Sequence, residues 1–295
     1  MRFAFLYPDC PGAEGNVLDA GPVPELAAAA EAAGWDAMAF TEHPAPTDRW
    51  LAAGGHQTLD PFVALGAAAA VTSRLRLITY LAVLPYRNPL MVAKAAASVD
   101  QLSGGRLVLG AGAGYLKGEF RAVGADFDAR NEELDQALEV LPLAWRGETF
   151  SYRGRGFEAG GIRCLPPAVQ QPIPIWLGGN SRLTLQRVAA GAQGWLPLIG
   201  PPGLATTTRT APVTSLDDLP AKLTLLQDLA GDRFEQLDLV LPLAGGNPSR
   251  DAERHRNILG RMAELGAGWV MVSTNAKPWP AAREFIDSFA EAHFP

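Results

Sequence analysis

Glu42 and His43 stand side by side where an apolar run, Ala37 to Phe40, stops abruptly. The chain has four histidines in 295 residues, so a placed imidazole carries information. Imidazole titrates near neutrality, and His43 beside Glu42 could act as a general acid or base. The competing reading is that His43 donates to a backbone carbonyl and only packs. His56, His255 and His293 are scattered along the chain, without HxH or HExxH spacing. Cys10 and Cys164 form no CxxC pair. Neither a metal site nor a disulfide framework is therefore expected. There is no GxSxG elbow for a nucleophilic serine.

Two glycine-bearing stretches could hold a ligand. In LGAGAGYLKGE the first three glycines are 110, 112 and 114, and Tyr115 stands where a dinucleotide fingerprint needs its third glycine. That fingerprint is rejected. Gly112 and Gly114 either let a flat ring approach the backbone or merely shape a loop. In WLGGNSRLTLQRVA, Gly178 and Gly179 end a strand-like run, and Asn180 or Ser181 can cap the helix that follows. Free N–H groups and the helix dipole at such a start attract an anion, with Arg182 adding charge nearby. A cofactor phosphate fits there; ordinary capping without a ligand is the other reading.

The elements that must position these groups alternate. Strands are expected at 2–7, 36–41, 75–84, 106–111, 173–179, 194–200, 236–244 and 268–274. Helices are expected at 24–35, 60–72, 88–103, 129–145, 181–191, 216–231, 251–266 and 280–294. Near-continuous apolar strands, each followed by a helix, imply a parallel sheet covered on its faces. Eight such units in 295 residues favour one (β/α)8 TIM barrel over 1–295. Stretches 146–172, with a short hairpin, and 200–216 read as loop insertions. In a barrel the active site lies at the C-terminal strand ends, where 42–43, 110–120 and 178–181 all fall.

Composition narrows the partners. With 25 Lys and Arg against 31 Asp and Glu, the formal net charge is −6. That disfavours nucleic acid or an anionic membrane and leaves a small-molecule substrate. No uninterrupted apolar run approaches the ~18 residues of a membrane span, and the first apolar run is too short for a signal sequence. The expectation is a cytoplasmic protein with two unpaired thiols.

The blocks GWDAMAFTEHPAPTDRW, RLRLITYLAVLPYRNPLMVAKAAASVDQLSGGRLVLGAGAGYLKGEF and PIPIWLGGNSRLTLQRVAAGAQGWLPL, spanning most of 1–198, resemble the bacterial luciferase-like superfamily, in particular its deazaflavin-dependent oxidoreductases. The resemblance implies a TIM barrel that binds coenzyme F420 or, alternatively, FMN, with the ring over the C-terminal mouth. It implies a phosphate near Gly178, Gly179, Asn180 and Ser181, and ring or pocket contacts from Tyr80, Leu81, Gly112, Gly114 and Tyr115. It further implies a non-proline cis peptide in the third strand, which falls at Tyr80–Leu81. His43 would exchange a proton with the substrate as hydride crosses, with Glu42 fixing the imidazole or contacting the ring. Tyr115 could shape the pocket, and Trp50 either does the same or packs a loop. A catalytic glutamate found after the fourth strand in some relatives is replaced here by Tyr115. Three functions follow: an F420-dependent oxidoreductase, an FMN-dependent monooxygenase served by a separate reductase, or a flavin-binding barrel without catalysis. Relatives commonly form homodimers.

Overall fold

The computed structural model describes residues 1–275 and 278–294. Eight parallel strands form the barrel: β1 (Arg2–Leu6), β2 (Ala37–Phe40), β3 (Arg76–Thr79), β4 (Leu107–Gly112), β5 (Ile175–Gly178), β6 (Gly194–Leu196), β7 (Asp238–Ala244) and β8 (Trp269–Ser273). Each is followed by a covering helix: α1 (Val23–Ala32), α2 (Pro61–Ala69), α3 (Pro89–Ser103), α4 (Arg130–Trp145), α5 (Arg182–Ala190), α6 (Leu219–Ala230), α7 (Ala252–Glu264) and α8 (Trp279–His293). Strand order follows chain order, and β1 pairs with β8 through Phe3 opposite Val270. On the other side, Leu109 of β4 lies opposite Ile175 of β5, so no edge is left open.

The strand alternation sorts side chains between two layers. Ala4, Leu6, Ala37, Ala39, Ile78, Val108, Trp176, Val240, Trp269 and Met271 form one buried cluster, the barrel interior. Trp176 and Trp269 meet edge to face at 5.4 Å, and the small alanines of β1 and β2 leave room for them. Phe3, Phe5, Met38, Leu77 and Leu109 belong to the larger cluster between strands and helices. The last helix closes this layer over the first strand: Phe3 contacts Phe289, and Trp35 Nε1 donates to the Ile286 carbonyl at 3.2 Å.

Capping residues set several helix starts. Asp60 accepts from the N–H groups of Phe62 and Val63 before Pro61 opens α2, and Ser181 accepts from Thr184 N–H. Gly104, at φ 67°, ends α3. The expected elements are all present, most of them shortened by one to three residues.

Three expectations need correction. The third strand does not run to residue 84. It stops at Thr79, a cis peptide joins Tyr80 to Leu81, and Ala82–Val83 re-pairs with Ala111 and Gly112 of β4. The sixth strand ends at Leu196 rather than 200. The 200–216 insertion is not only a loop, because it holds the helix Pro202–Thr208. Short helices also occur at Asp48–Ala52 and Lys117–Ala122, and Cys10–Pro11 pairs with His56–Gln57. The 146–172 insertion carries the expected hairpin, Phe150–Gly154 with Phe157–Ile162.

Candidate active site

A cavity of about 530 Å³ opens at the C-terminal ends of the strands, within the size range of ligand pockets. Glu42, His43, Tyr80, Leu81, Gly112, Gly114, Tyr115, Gly178, Gly179 and Ser181 all line it. Asn180 does not. Its fully buried amide donates to the Leu198 and Ala211 carbonyls and accepts from Leu198 N–H, which ties β5 to the segment after β6.

The imidazole is not held by its sequence neighbour. His43 Nδ1 lies 3.1 Å from Glu119 Oε2, a carboxylate with no solvent exposure. Glu119 also accepts from Tyr86 OH at 2.8 Å and from Ala45 N–H at 3.2 Å. Glu42 is turned away. It pairs with the Arg87 guanidinium and accepts from Val83 N–H at 2.6 Å, and Arg87 continues to Asp60 at 2.9 Å. Burial raises the Glu42 carboxyl above its usual range, against the opposing pull of Arg87 and the Val83 N–H. The expectation that Glu42 fixes the imidazole is thus corrected: Glu119 does so, from a helix too short to leave a periodic signal.

The backbone of His43 is pinned as well, its N–H donating to Thr58 Oγ1 at 2.9 Å. Around its ring stand Trp50 at 4.3 Å, His56 at 5.1 Å and Tyr115 at 5.9 Å. His56 is therefore not scattered from the site, as its sequence position suggested. The short pairing of 10–11 with 56–57 brings it and Asp9 to the mouth, 3.8 Å apart. Burial pulls the His56 imidazole below its ordinary value, partly opposed by Asp9. Trp50 lies outside the cavity lining and packs behind the two imidazoles. Burial, together with the Glu119 charge, raises Tyr115 to about 12, so its phenol stays neutral.

Leu81 is set across two glycines. A Cβ at Gly112 would come within 2.8 Å of Leu81 Cδ1, and one at Gly178 would overlap the same side chain. The space left by these missing side chains is filled by Leu81, which forms an apolar cavity wall continued by Leu177, Leu196 and Leu198. Gly179 has φ 115°, a region L side chains rarely adopt, and its Cα faces the hydroxyls of Thr184 and Thr210.

At the far end lies the start of α5. Ser181 caps it, with Oγ 2.9 Å from Thr184 Oγ1, and the first N–H groups of the helix have no partner within the helix. Arg182 is exposed and outside the lining; Arg187 lines the cavity but is bound by Asp135 at 2.6 Å. Arg130 and Arg209 also line it. Apolar leucine walls, hydroxyls at a helix start, cations at the rim and a buried His56 Nε2 without a hydrogen-bond partner among the described residues fit a flat ring with an anionic extension.

Residues 1–211 match the model of the luciferase-like monooxygenase family. A Mycobacterium tuberculosis protein of uncharacterised activity is 31% identical over 247 residues, 83% of this chain and 78% of its own. The FMNH2-dependent dimethylsulfone monooxygenase of Pseudomonas putida is 32% identical over 120 residues, 39% of this chain and 33% of that enzyme. An F420-dependent secondary alcohol dehydrogenase, solved with an F420–acetone adduct, superposes with a TM-score of 0.73 at 15% identity, covering 99% of this chain and 98% of that one. At that identity the likeness speaks for the fold. The family match takes in every residue that lines the cavity, Thr41 to Thr210, and the chain belongs to the luciferase-like monooxygenase family of oxidoreductases.

Proposed function

We propose that the protein is an oxidoreductase that uses coenzyme F420 for hydride transfer to or from a small organic substrate at the barrel mouth. One observation carries this reading: a buried carboxylate, Glu119, holds His43 Nδ1 beside an apolar cavity. With Nδ1 engaged, Nε2 is the nitrogen left to exchange a proton with a substrate oxygen. When bound, a deazaflavin supplies a carbon that gives or takes hydride and activates oxygen poorly.

The residues divide the remaining work. His43 gives its Nε2 proton to an oxygen that gains negative charge, or takes one from an alcohol being oxidised. Glu119 fixes the tautomer and stabilises the imidazolium, while Tyr86 and the Ala45 N–H hold Glu119 in place. Leu81, Leu177 and Leu196 keep water from the reacting face. Gly178, Gly179, Ser181 and Thr184 would receive the phosphate.

The F420-dependent alcohol dehydrogenase, whose fold aligns over 99% of the chain, supports the deazaflavin. The FMNH2-dependent relative supports a second reading, a monooxygenase working with a separate flavin reductase. A barrel that binds a flavin without catalysis would have no need of the buried Glu119–His43 pair. Fluorescence titration of the purified protein with F420 and FMN tests the choice. Tighter binding of F420 is expected; tighter binding of FMN would overturn it. Binding without turnover on a panel of alcohols and ketones would favour the non-catalytic reading.

A further inference from the structure

We infer that the rim of the cavity carries a separate polyanion site, formed by Lys117, Arg130 and Arg209 around Phe127, that holds a multiply carboxylated tail of the coenzyme outside the ring cavity. This rests on the deazaflavin reading and extends it. The three cations come from three elements: the first residue of the helix Lys117–Ala122, the first residue of α4, and the residue just after the helix Pro202–Thr208. All converge on one ring. Arg130 Cζ lies 4.0 Å from the Phe127 centroid, Lys117 Nζ 4.8 Å and Arg209 Cζ 5.2 Å.

Three like charges around one phenyl group repel each other more than a single ring quadrupole repays. Neighbouring carboxylates do not resolve this, because most are committed elsewhere. Asp126 is bound by Arg155 at 2.6 Å, and Glu132 and Glu133 lie 3.6 and 3.8 Å from the same guanidinium. Asp135 is held by Arg187. Asp128 acts on Arg130 only as a nearby charge. Arg130 donates to the Phe127 carbonyl at 2.8 Å, and neither Lys117 nor Arg209 has a carboxylate partner among the described residues.

The placement is built rather than incidental. Arg209 has φ 54°, the one positive value at a non-glycine residue among those described. Such a conformation persists where its surroundings hold it. Here Thr210 N–H donates to the Ala205 carbonyl, Asn180 N–H donates to Thr210 Oγ1, and Asn180 Nδ2 donates to the Ala211 carbonyl. The buried Asn180 is in this way a positioning residue for the loop that presents Arg209. Arg130 and Arg209 line the cavity while Lys117 is exposed outside it, so the charge runs outward from the ring site.

A single phosphate ends FMN, and the glycine–serine end of the cavity can receive it. A path of three further cations suits a ligand with further anions, as in a deazaflavin coenzyme whose phosphate is extended by linked glutamates. The test compares wild type, Lys117→Ala/Arg209→Ala and the charge-conserving Lys117→Arg/Arg209→Lys. Each is titrated by fluorescence with F420, with the tail-less deazaflavin chromophore, and with FMN, at low and high salt.

The alanine pair should bind F420 at least tenfold more weakly and the tail-less chromophore within twofold of wild type. Its F420 affinity should also depend less steeply on salt, and the charge-conserving pair should behave as wild type. Equal F420 affinity in wild type and the alanine pair would overturn the tail site and leave the deazaflavin reading standing. An equal loss for the tail-less chromophore would also overturn it, placing the cations in the ring site. Wild-type preference for FMN over both deazaflavins would overturn the coenzyme reading and the tail site together.

Discussion

Glu119 sits at the point where three donors meet, His43 Nδ1 and Ala45 N–H from the loop after β2 and Tyr86 OH from beyond β3. Its role is to hold an imidazole, so its removal should affect turnover more than binding. Glu119→Gln keeps the shape and one acceptor but loses the charge that balances an imidazolium. We expect kcat to fall about tenfold or more, against about a hundredfold for His43→Ala, the range typical of general acid–base groups. Coenzyme affinity should stay within about twofold. Steady-state kinetics and a coenzyme titration of the two variants would show this. Full kcat in Glu119→Gln would remove Glu119 from the mechanism. The sequence exposed half of this pair. His43 was legible because it stands at a strand end; Glu119 was not, because adjacency pointed to Glu42 and nothing local marks a carboxylate 76 residues away as its partner.

At the scale of elements, the barrel was readable because its signals are local: apolar strand runs, Asp60 before Pro61, Gly104 after Ser103. The misreadings involve elements too short for periodicity, such as the helices Asp48–Ala52 and Lys117–Ala122, or a break inside an apolar run, such as Tyr80–Leu81. Tertiary pairing is equally invisible in one dimension. His255 of α7 and His293 of α8, apparently unrelated in sequence, place their Nδ1 and Nε2 atoms 3.1 Å apart, with the His293 ring 4.5 Å from Phe289. Burial pulls both imidazoles below their ordinary value. Arg254 adds to this at His255, where Asp251 and the Ala244 carbonyl oppose it; His255 and Arg256 add to it at His293. The sign follows. A depressed folded-state value means the unfolded chain takes up protons first, so stability is complete above the ordinary value of 6.5 and is lost as pH falls below it toward the folded-state values. Between pH 7.5 and 5.5 the melting temperature of wild type should fall more than that of His293→Phe, by about 2–4 °C. Parallel curves in thermal melts would show that the pair does not couple the last helix to pH.

For the whole molecule, closure of the barrel makes the cavity a joint property of distant segments. Its walls come from the ends of β2 to β6 and from the helix Pro202–Thr208, and strand β1, between β8 and β2, joins the two halves of the chain. No single element has a binding site of its own, so a ligand in the cavity favours the assembled barrel over every partly opened form. At a hundredfold excess over its dissociation constant, a ligand that binds only the folded state adds about 2.7 kcal/mol. For a chain of this size that corresponds to a rise in melting temperature of roughly 5 °C or more. The rise should appear in one cooperative transition, because β4 and β5 close the ring between the first and second halves. F420 should therefore raise the melting temperature of wild type by this amount, and FMN at equal concentration by less. On the proposed cationic tail site, addition of 0.5 M salt should shrink the F420 shift. Differential scanning calorimetry with each coenzyme would measure all three. A ligand-induced split into two transitions would show that the halves melt independently and that the cavity is not the joint that holds them.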